Sequence, residues 1–445
     1  MLNLLVIDAT GVSLDFAMRC KAYGHSVRVY IRNNKDGTRC HIGEGLIERV
    51  SDWEAHMNWA DLIFCTDNVF YIHQLERYRD RGFPILGPSI DTNRWEQDRE
   101  HGADVFKKAG IPTIPSVAFT SYDDAISFVM KNNKRYVSKP LGDGDKALSY
   151  VSKTPADMVF MLQKWKKSNA YKGSFILQEF HGGIEIAVGG WFGSGGFSKH
   201  LCINHEFKKL LAGDLGVSTG EEGTILYYVQ DSLLADKVLK PLEGMLQGLG
   251  YTGYIDVNCI IDDKGTPWPL EFTMRPGWPL FMIQQALHKG DPCQWMLDLI
   301  DGKDTLKVSD KVACGVVITM PPYPFDKGTP QDEHIGYPMF DLTEEDVTRN
   351  VHLAAVKWGT APSMVDGKVK LKHEQFVTAG NYVCIVTGVG DSVEGASEDC
   401  YTRIKKKIHI PNSVGYRNDI GRRLKDQLPI LNTMGYSNKV YEDGD

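Results

Sequence analysis

The runs GYIDVNCIID and PWPLEFTMR, set on either side of DDKG between Gly253 and Gly277, constrain this chain more than any other stretch of it. Both are apolar and rich in strand formers, and the segment between them is a turn signal, so the reading is a hairpin in an antiparallel sheet. Adjacent strands would bring Asp256 or Asn258 beside Glu271. Oxygen ligands converging in this way suit magnesium, which shares its shell with phosphates and water. Arg275, four residues beyond Glu271, could grip a phosphoryl oxygen and stabilise the charge that develops during its transfer. The plainer alternative is a surface hairpin carrying an ion pair; so many oxygens converging with an arginine and a following glycine count against it.

The rest of the chain divides around this hairpin. A length of 445 residues exceeds one comfortable core and fits about three domains. Residues 1–90 alternate apolar runs (LLVID, SVRVY, DLIFC) with helix-like stretches and predict a small parallel α/β domain. Its first strand-to-helix turn, ATGVS, has one glycine where a dinucleotide fingerprint needs three, which argues against NAD or FAD. Residues 91–305 open with a helix over 98–109 and continue with the strands SVAF, RYVSKP, SFILQEF and IEIAVGGWF. Residues 306–445 read as an α+β domain with an amphipathic helix at 391–407.

Several function classes fall away on composition. A formal net charge of -7 offers no general attraction to nucleic acid or an anionic membrane, so any anion needs a local site. The basic cluster Lys405, Lys406, Lys407, Arg422 and Arg423 lacks interleaved aromatics and reads as a solvated face. Nine scattered cysteines form neither a disulfide framework nor a zinc motif. No run reaches the roughly 18 apolar residues of a membrane span, and the N-terminus lacks the basic lead of a secretion signal, so the expected location is the cytoplasm.

Three further segments could carry chemistry. Lys139 ends the strand YVSKP and is followed by Gly142, Gly144 and Lys146; a lysine can meet a phosphate as a point charge while glycines let backbone amides close over it. The alternative is a charged strand end with a flexible hairpin. In FILQEFHGGIEIAV, Gln178, Glu179, Phe180 and Glu185 could give a purine a polar edge and an apolar wall and give ribose a carboxylate, or could be an edge strand with solvated acids. The segment 205–224 is read as a loop too long for an ordinary connection; within it spacing does not rank Lys208, Lys209, Ser218 and Thr219.

Taken in order, Lys139, QEF, the glycine-rich segment and LEFTMRPG resemble the ATP-grasp enzymes, and more narrowly the phosphoribosylamine–glycine ligase family. GPSIDTNRWEQDREHGADVFKKAGIPT (87–113), CGVVITMPPYP (314–324), KWGT (357–360), VTAGNYV (377–383) and YRNDIGRRL (416–424) extend the likeness over nearly the whole chain. The resemblance implies a central ATP-grasp domain with a mobile lid at about 113–180. It implies an ADP-forming carboxylate–amine ligase using ATP with magnesium or manganese, working through an acyl phosphate. Carried over by position, Arg99, Lys139 and Lys146 become phosphate contacts, Gln178, Glu179 and Phe180 the adenine hinge, and Glu185 the ribose contact. Glu271 becomes a metal ligand with Thr273, Asn258 or Asp256, and Ser218, Thr219, Gly220, Arg275 and Gly277 surround the substrates. The implied partners are a small carboxylate such as glycine and an amine, without membrane or nucleic acid, acting on a monomer or homodimer.

The chain departs from the family where the substrates would sit. Thr273 replaces an asparagine, and Arg99 a lysine. A GGREHA-like loop becomes ATGVSLDFA, a GPEAPL-like segment becomes CTDNVFY (65–71), and GPNTGGMG becomes GVSTGEEG (216–223). Glu221 and Glu222 bring negative charge that repels a carboxylate and attracts an amine. Two rival readings follow: an ATP-grasp ligase for a different amine, and a nucleotide-binding protein without ligase activity.

Overall fold

The computed structural model describes residues 1–34, 37–141, 149–170, 173–325 and 335–442. The chain begins with β1 (Asn3–Asp8), α1 (Leu14–Tyr23), β2 (Ser26–Ile31), β3 (Glu48–Val50), β4 (Leu62–Cys65), α2 (Ile72–Arg79) and β5 (Ile85–Leu86). These strands form a five-stranded sheet in the order β3-β2-β1-β4-β5, and every pairing in it is parallel. Continuous apolar runs such as LLVI and LIFC form its centre because a parallel sheet is buried on both faces. The strand order reverses between β1 and β4, so the loops that follow these two strands flank the crevice where such sheets bind ligands.

Helices α3 (Ile90–Gln97) and α4 (Arg99–Lys108) lead out of this unit, and the Asp98 side chain between them caps α4 by accepting from the His101 amide. A small sheet follows, built from β6 (Ser116–Phe119), α5 (Tyr122–Asn132), β7 (Tyr136–Pro140), β8 (Tyr150–Val151), α6 (Pro155–Ser168) and β9 (Phe175–Glu179). Its order is β6-β9-β7-β8, and α5 and α6 cover one face through Ala125, Val129, Leu162 and Trp165. The other face carries Lys139.

The large sheet is antiparallel and nine-stranded. Its path uses β10 (Ile184–Gly193), β12 (Leu201–Leu211), β13 (Leu215–Val229), β14 (Gly253–Ile261), β15 (Pro267–Thr273), β18 (Val312–Thr319), β20 (Val351–Leu353) and β23 (Tyr382–Gly390). They run in the order β15-β14-β10-β12-β13-β18-β23-β20, with β11 (Gly196–Phe197) paired to β10. The sheet therefore continues past residue 305. Helices α7 (Leu233–Val238), α8 (Glu243–Gly248), α9 (Leu280–Gln284) and α10 (Gln294–Ile300) and the ribbon β16 (His288–Lys289) with β17 (Lys307–Val308) complete this part. The expected hairpin at DDKG is β14–β15, with Asn258 opposite Glu271 and Asp256 opposite Thr273.

Residues 205–224 are not the long loop expected from composition. They form most of the β12–β13 hairpin, whose connection is only residues 212–214. Beyond it, β19 (Ile335–Pro338), α11 (Glu344–Arg349), β21 (Val356–Val365), β22 (Lys368–Ala379), α12 (Val393–Lys407) and α13 (Leu424–Thr433) complete the α+β tail, with a separate sheet in the order β19-β22-β21. Among the described residues no helix is long and apolar enough to cross a membrane.

Candidate active site

The small sheet and the large sheet face each other across a cleft. Lys139 of β7 and Ile176 and Gln178 of β9 line one wall, and Pro269, Leu270, Glu271 and Phe272 of β15 line the other, with Arg99 and Phe106 of α4 closing one end. Lys139 reaches it because β7 pairs antiparallel with β9, Lys139 lying opposite Ile176. Burial pushes the Lys139 ammonium down to about 8; the Glu271 carboxylate resists this and the Arg99 and Lys208 cations add to it. Glu271 accepts from Arg99 Nη1 at 3.2 Å, so the arginine standing in the family's lysine position lies within the same cleft.

Beside Glu271 is a residue that composition could not rank. The Lys208 ammonium lies 2.9 Å from Glu185 Oε1, 2.8 Å from Glu206 Oε2 and 3.8 Å from Glu271 Oε1. Burial opposes its charge, but Glu185 and Glu206 hold it well above the ordinary lysine value. Burial likewise opposes charge on Glu185, and Lys208 overrides it, keeping that carboxyl below the usual range. Asn258 Nδ2 donates to Glu185 at 2.9 Å and to Glu206 at 2.8 Å, which fixes its amide orientation and leaves the buried Oδ1 without a partner. The signal for Lys208 and Glu206 lay in the alternation of HEFKK: charges at every second position put both on one face of a strand.

The remaining sequence candidates sit as follows. Glu179 pairs with Lys134 at 2.8 Å, and the Arg135 guanidinium lies 3.5 Å from the centre of the Phe180 ring. The amides of Glu179 and Phe180 donate to the carbonyls of Pro115 and Arg135. Arg275 pairs with Glu96 at 3.3 Å, while Glu96 also accepts from the Met274 amide, which fixes the end of β15 against α3. Gly277 accepts from the Phe281 amide at the start of α9. Ser218 lies opposite Lys209, and the Thr219 hydroxyl donates to the Lys208 carbonyl at 2.9 Å; Gly220 is exposed on the same strand. Gly142, Gly144 and Lys146 lie outside the described residues.

The YRNDIGRRL segment clamps this hairpin. Asp419 accepts from Arg417 and from the Gly213 amide, Arg417 donates to the Lys209 carbonyl, and Arg423 donates to the Glu206 carbonyl.

A second cleft, about 330 Å³, lies between the first domain and the tail. It is lined by Thr10 and Gly11, by Arg32, Arg39 and His41, and by Asn381 and Tyr382. The loops flanking the strand-order reversal are closed on themselves here. Asp8 accepts from the amides of Thr10, Gly11 and Ser13 at 3.0, 2.8 and 2.7 Å. Asp67 accepts from those of Val69, Phe70 and Tyr71 at 3.1, 2.5 and 2.8 Å.

No family model matches the sequence. The phosphoribosylamine–glycine ligase of Lactococcus lactis subsp. lactis is 25% identical over 352 residues, spanning 76% of this chain and 78% of its own. The crystal structure of phosphoribosylamine–glycine ligase from Thermotoga maritima superposes with a TM-score of 0.66 at 21% identity, over 94% of this chain and all of the other. The chain is similar in sequence and in fold to phosphoribosylamine–glycine ligase. A more distant likeness is the biotin carboxylase domain of the 2-oxoglutarate carboxylase of Hydrogenobacter thermophilus, solved with MgADP, ADP and bicarbonate (TM-score 0.60, 13% identity, 99% of this chain and all of the other). Of the departures from the phosphoribosylamine–glycine ligase pattern, Arg99 lies in the two-sheet cleft and Thr10, Gly11 and Val12 border the second.

Proposed function

We propose that this ATP-grasp ligase joins a small carboxylic acid to an amine in the cytoplasm, releasing ADP and phosphate, with ATP held between Lys139 and Glu271. The observation that carries the reading is that these two residues, far apart in sequence and on different sheets, line one cleft. Lys139, with Arg99 and with Lys146 beyond the described residues, would meet the phosphates. Gln178, Glu179 and Phe180 would border the adenine, and Glu185 the ribose. A carboxylate oxygen attacks the γ-phosphorus, and the bond to ADP breaks. The amine nitrogen then bonds to the acyl carbon, the carbon–oxygen bond to phosphate breaks, and phosphate leaves with that electron pair while the nitrogen's proton passes to solvent. Positioning and charge neutralisation are the protein's main contributions. Arg275, once drawn from Glu96, would meet the transferring group, with Ser218, Thr219, Gly220 and Gly277 bordering the substrates.

The chemistry of the donor set fits magnesium, or manganese, at Glu271 and Asn258, because the Asn258 Oδ1 is a buried oxygen with no hydrogen-bond donor. Thr273, across the strand pair, could supply a further oxygen, while Asp256 is turned to Asn204 and Tyr254. Bound there, the metal would neutralise phosphate charge. We take 1–90 as one domain and 113–180 as the lid, and the nine-stranded sheet joins 91–305 to 306–445. The test is ADP formation with magnesium, ATP, glycine and an amine: Lys139→Ala and Glu271→Ala should each lower kcat at least a hundredfold, and normal turnover in either sinks the assignment.

A further inference from the structure

Resting on that ligase reading, we infer that Lys208 neutralises the acids of the nucleotide site, and that Arg417 and Arg423 of the tail are the positioning residues that set its ammonium there. Lys208 is bonded to Glu185 and Glu206 and lies 3.8 Å from Glu271, which shares the cleft with Lys139. Without an ammonium at this point, the carboxylates of Glu185, Glu206 and Glu271 would stand together where a triphosphate has to enter. The place of that ammonium depends on the backbone of β12.

That backbone leaves the ladder at this residue. β12 pairs with β10 as far as Asn204, and its register with β13 jumps: Phe207 lies opposite Gly223, and Lys209 opposite Ser218. Among the described residues Lys208 therefore has no ladder partner on either edge, and it faces residues 219–222 alone. A strand interrupted in this way bends, and carbonyls removed from the ladder need other donors. Around this break the donors are side chains. Arg423 Nη2 donates to the Glu206 carbonyl at 2.6 Å, the Thr219 hydroxyl to the Lys208 carbonyl at 2.9 Å, and Arg417 Nη1 to the Lys209 carbonyl at 2.9 Å.

The two arginines are themselves anchored. Arg417 is buried and pairs with Asp419 and Asp214, while Asp419 accepts from the Gly213 amide in the turn of the same hairpin. Both guanidiniums lie over the Phe207 ring, Arg417 at 5.1 Å and Arg423 at 4.0 Å from its centre. Successive side chains alternate across a strand, and the bond between Glu206 and Lys208 puts these two on the face opposite Phe207. Gripping Phe207 from the tail thus turns Lys208 towards Glu185 and Glu271. The tail also reaches the site through charge: burial opposes charge on Glu185, and Lys208 and then the Arg423 guanidinium offset it.

A clamp that merely stabilises the hairpin would not act through Lys208, and calorimetry of the full chain with MgATP separates the two roles, needing neither the carboxylate nor the amine. Lys208→Met should weaken MgATP binding at least tenfold, and Arg423→Met at least threefold. The double variant should bind within twofold of Lys208→Met, because the arginine then has no ammonium left to position. Arg423→Lys, which keeps a donor for the Glu206 carbonyl, should recover affinity to within twofold of the wild type. If Arg423→Met does not fold, Thr219→Val reads the same cycle, since it removes the hydroxyl bonded to the Lys208 carbonyl. The inference is overturned by losses that add in the double variant, by an unchanged affinity in Lys208→Met or Arg423→Met, or by an Arg423→Lys variant as weak as Arg423→Met. Absent MgATP binding by the wild type defeats the ligase assignment and this inference with it, whereas wild-type binding with additive losses defeats only this one.

Discussion

Lys139 is placed where charge is expensive and phosphate would repay it. Its ammonium titrates near 8 in the folded chain, against about 10.4 for an unperturbed lysine. Between these values the unfolded chain binds more protons than the folded one, so this residue makes stability rise with pH across that window. Below pH 8 both states are protonated and the full penalty stands. Lys139→Met should therefore stabilise the nucleotide-free protein at pH 7 by roughly 1–2 kcal/mol while abolishing ADP formation, and the gain should shrink as pH is raised towards 10. Thermal melts of both proteins from pH 6 to 10 check this. A variant that is destabilised at pH 7 would mean that Lys139 is held by its carboxylates more strongly than burial opposes it.

At the scale of elements, β10 is the strand whose environment is least forgiving. It carries Glu185 at one end and packs its other end on α10, where a Cβ on Gly193 would lie 2.0 Å from the Leu299 carbonyl oxygen. Gly193→Ala should destabilise the fold by about 2–4 kcal/mol through forced backbone movement. Gly213→Ala, in the β12–β13 turn at a φ of 72° with nothing near its Cβ, should cost only about 1 kcal/mol, from conformation alone. Urea denaturation of the pair decides it, and equal losses would mean that β10 and α10 can part without cost. The same elements show what the sequence could disclose. The β14–β15 hairpin was legible because its apolar runs and turn signal agree, and this put Asn258 opposite Glu271. The β12–β13 hairpin reads as a loop from sequence because glycine and charge dominate it, whereas in the structure Glu206 and Lys208 pair with each other beside Glu185 and Glu271. Their roles depend on partners from β10 and β14, which no spacing along a single strand encodes.

For the whole molecule the decisive feature is how little room lies between the two sheets at the proposed nucleotide site. The space enclosed between the two sheets is about 50 Å³, whereas sites for ligands of nucleotide size span about 300–1,000 Å³. The Arg99–Glu271 ion pair lies across it, and the amides of Glu179 and Phe180 are bonded within the small sheet. That sheet has its own core, formed by α5, α6 and their strands, so it can swing as a unit without exposing the interior of its neighbour. ATP would then enter by displacing Arg99 from Glu271 and would be sealed in when the sheets reclose over it. Magnesium–ATP should accordingly slow amide hydrogen exchange in β7, β9 and β15 and in α4, while β1 and β4, buried in a different sheet, keep their rates. Arg99→Ala should speed nucleotide association and weaken retention, because it removes both the closing pair and a phosphate contact. Exchange followed by mass spectrometry, with and without nucleotide, reads all of these segments together. Protection confined to the second cleft, around residues 9–12 and 379–382, would place the nucleotide in the wrong half of the molecule and overturn the two-sheet site.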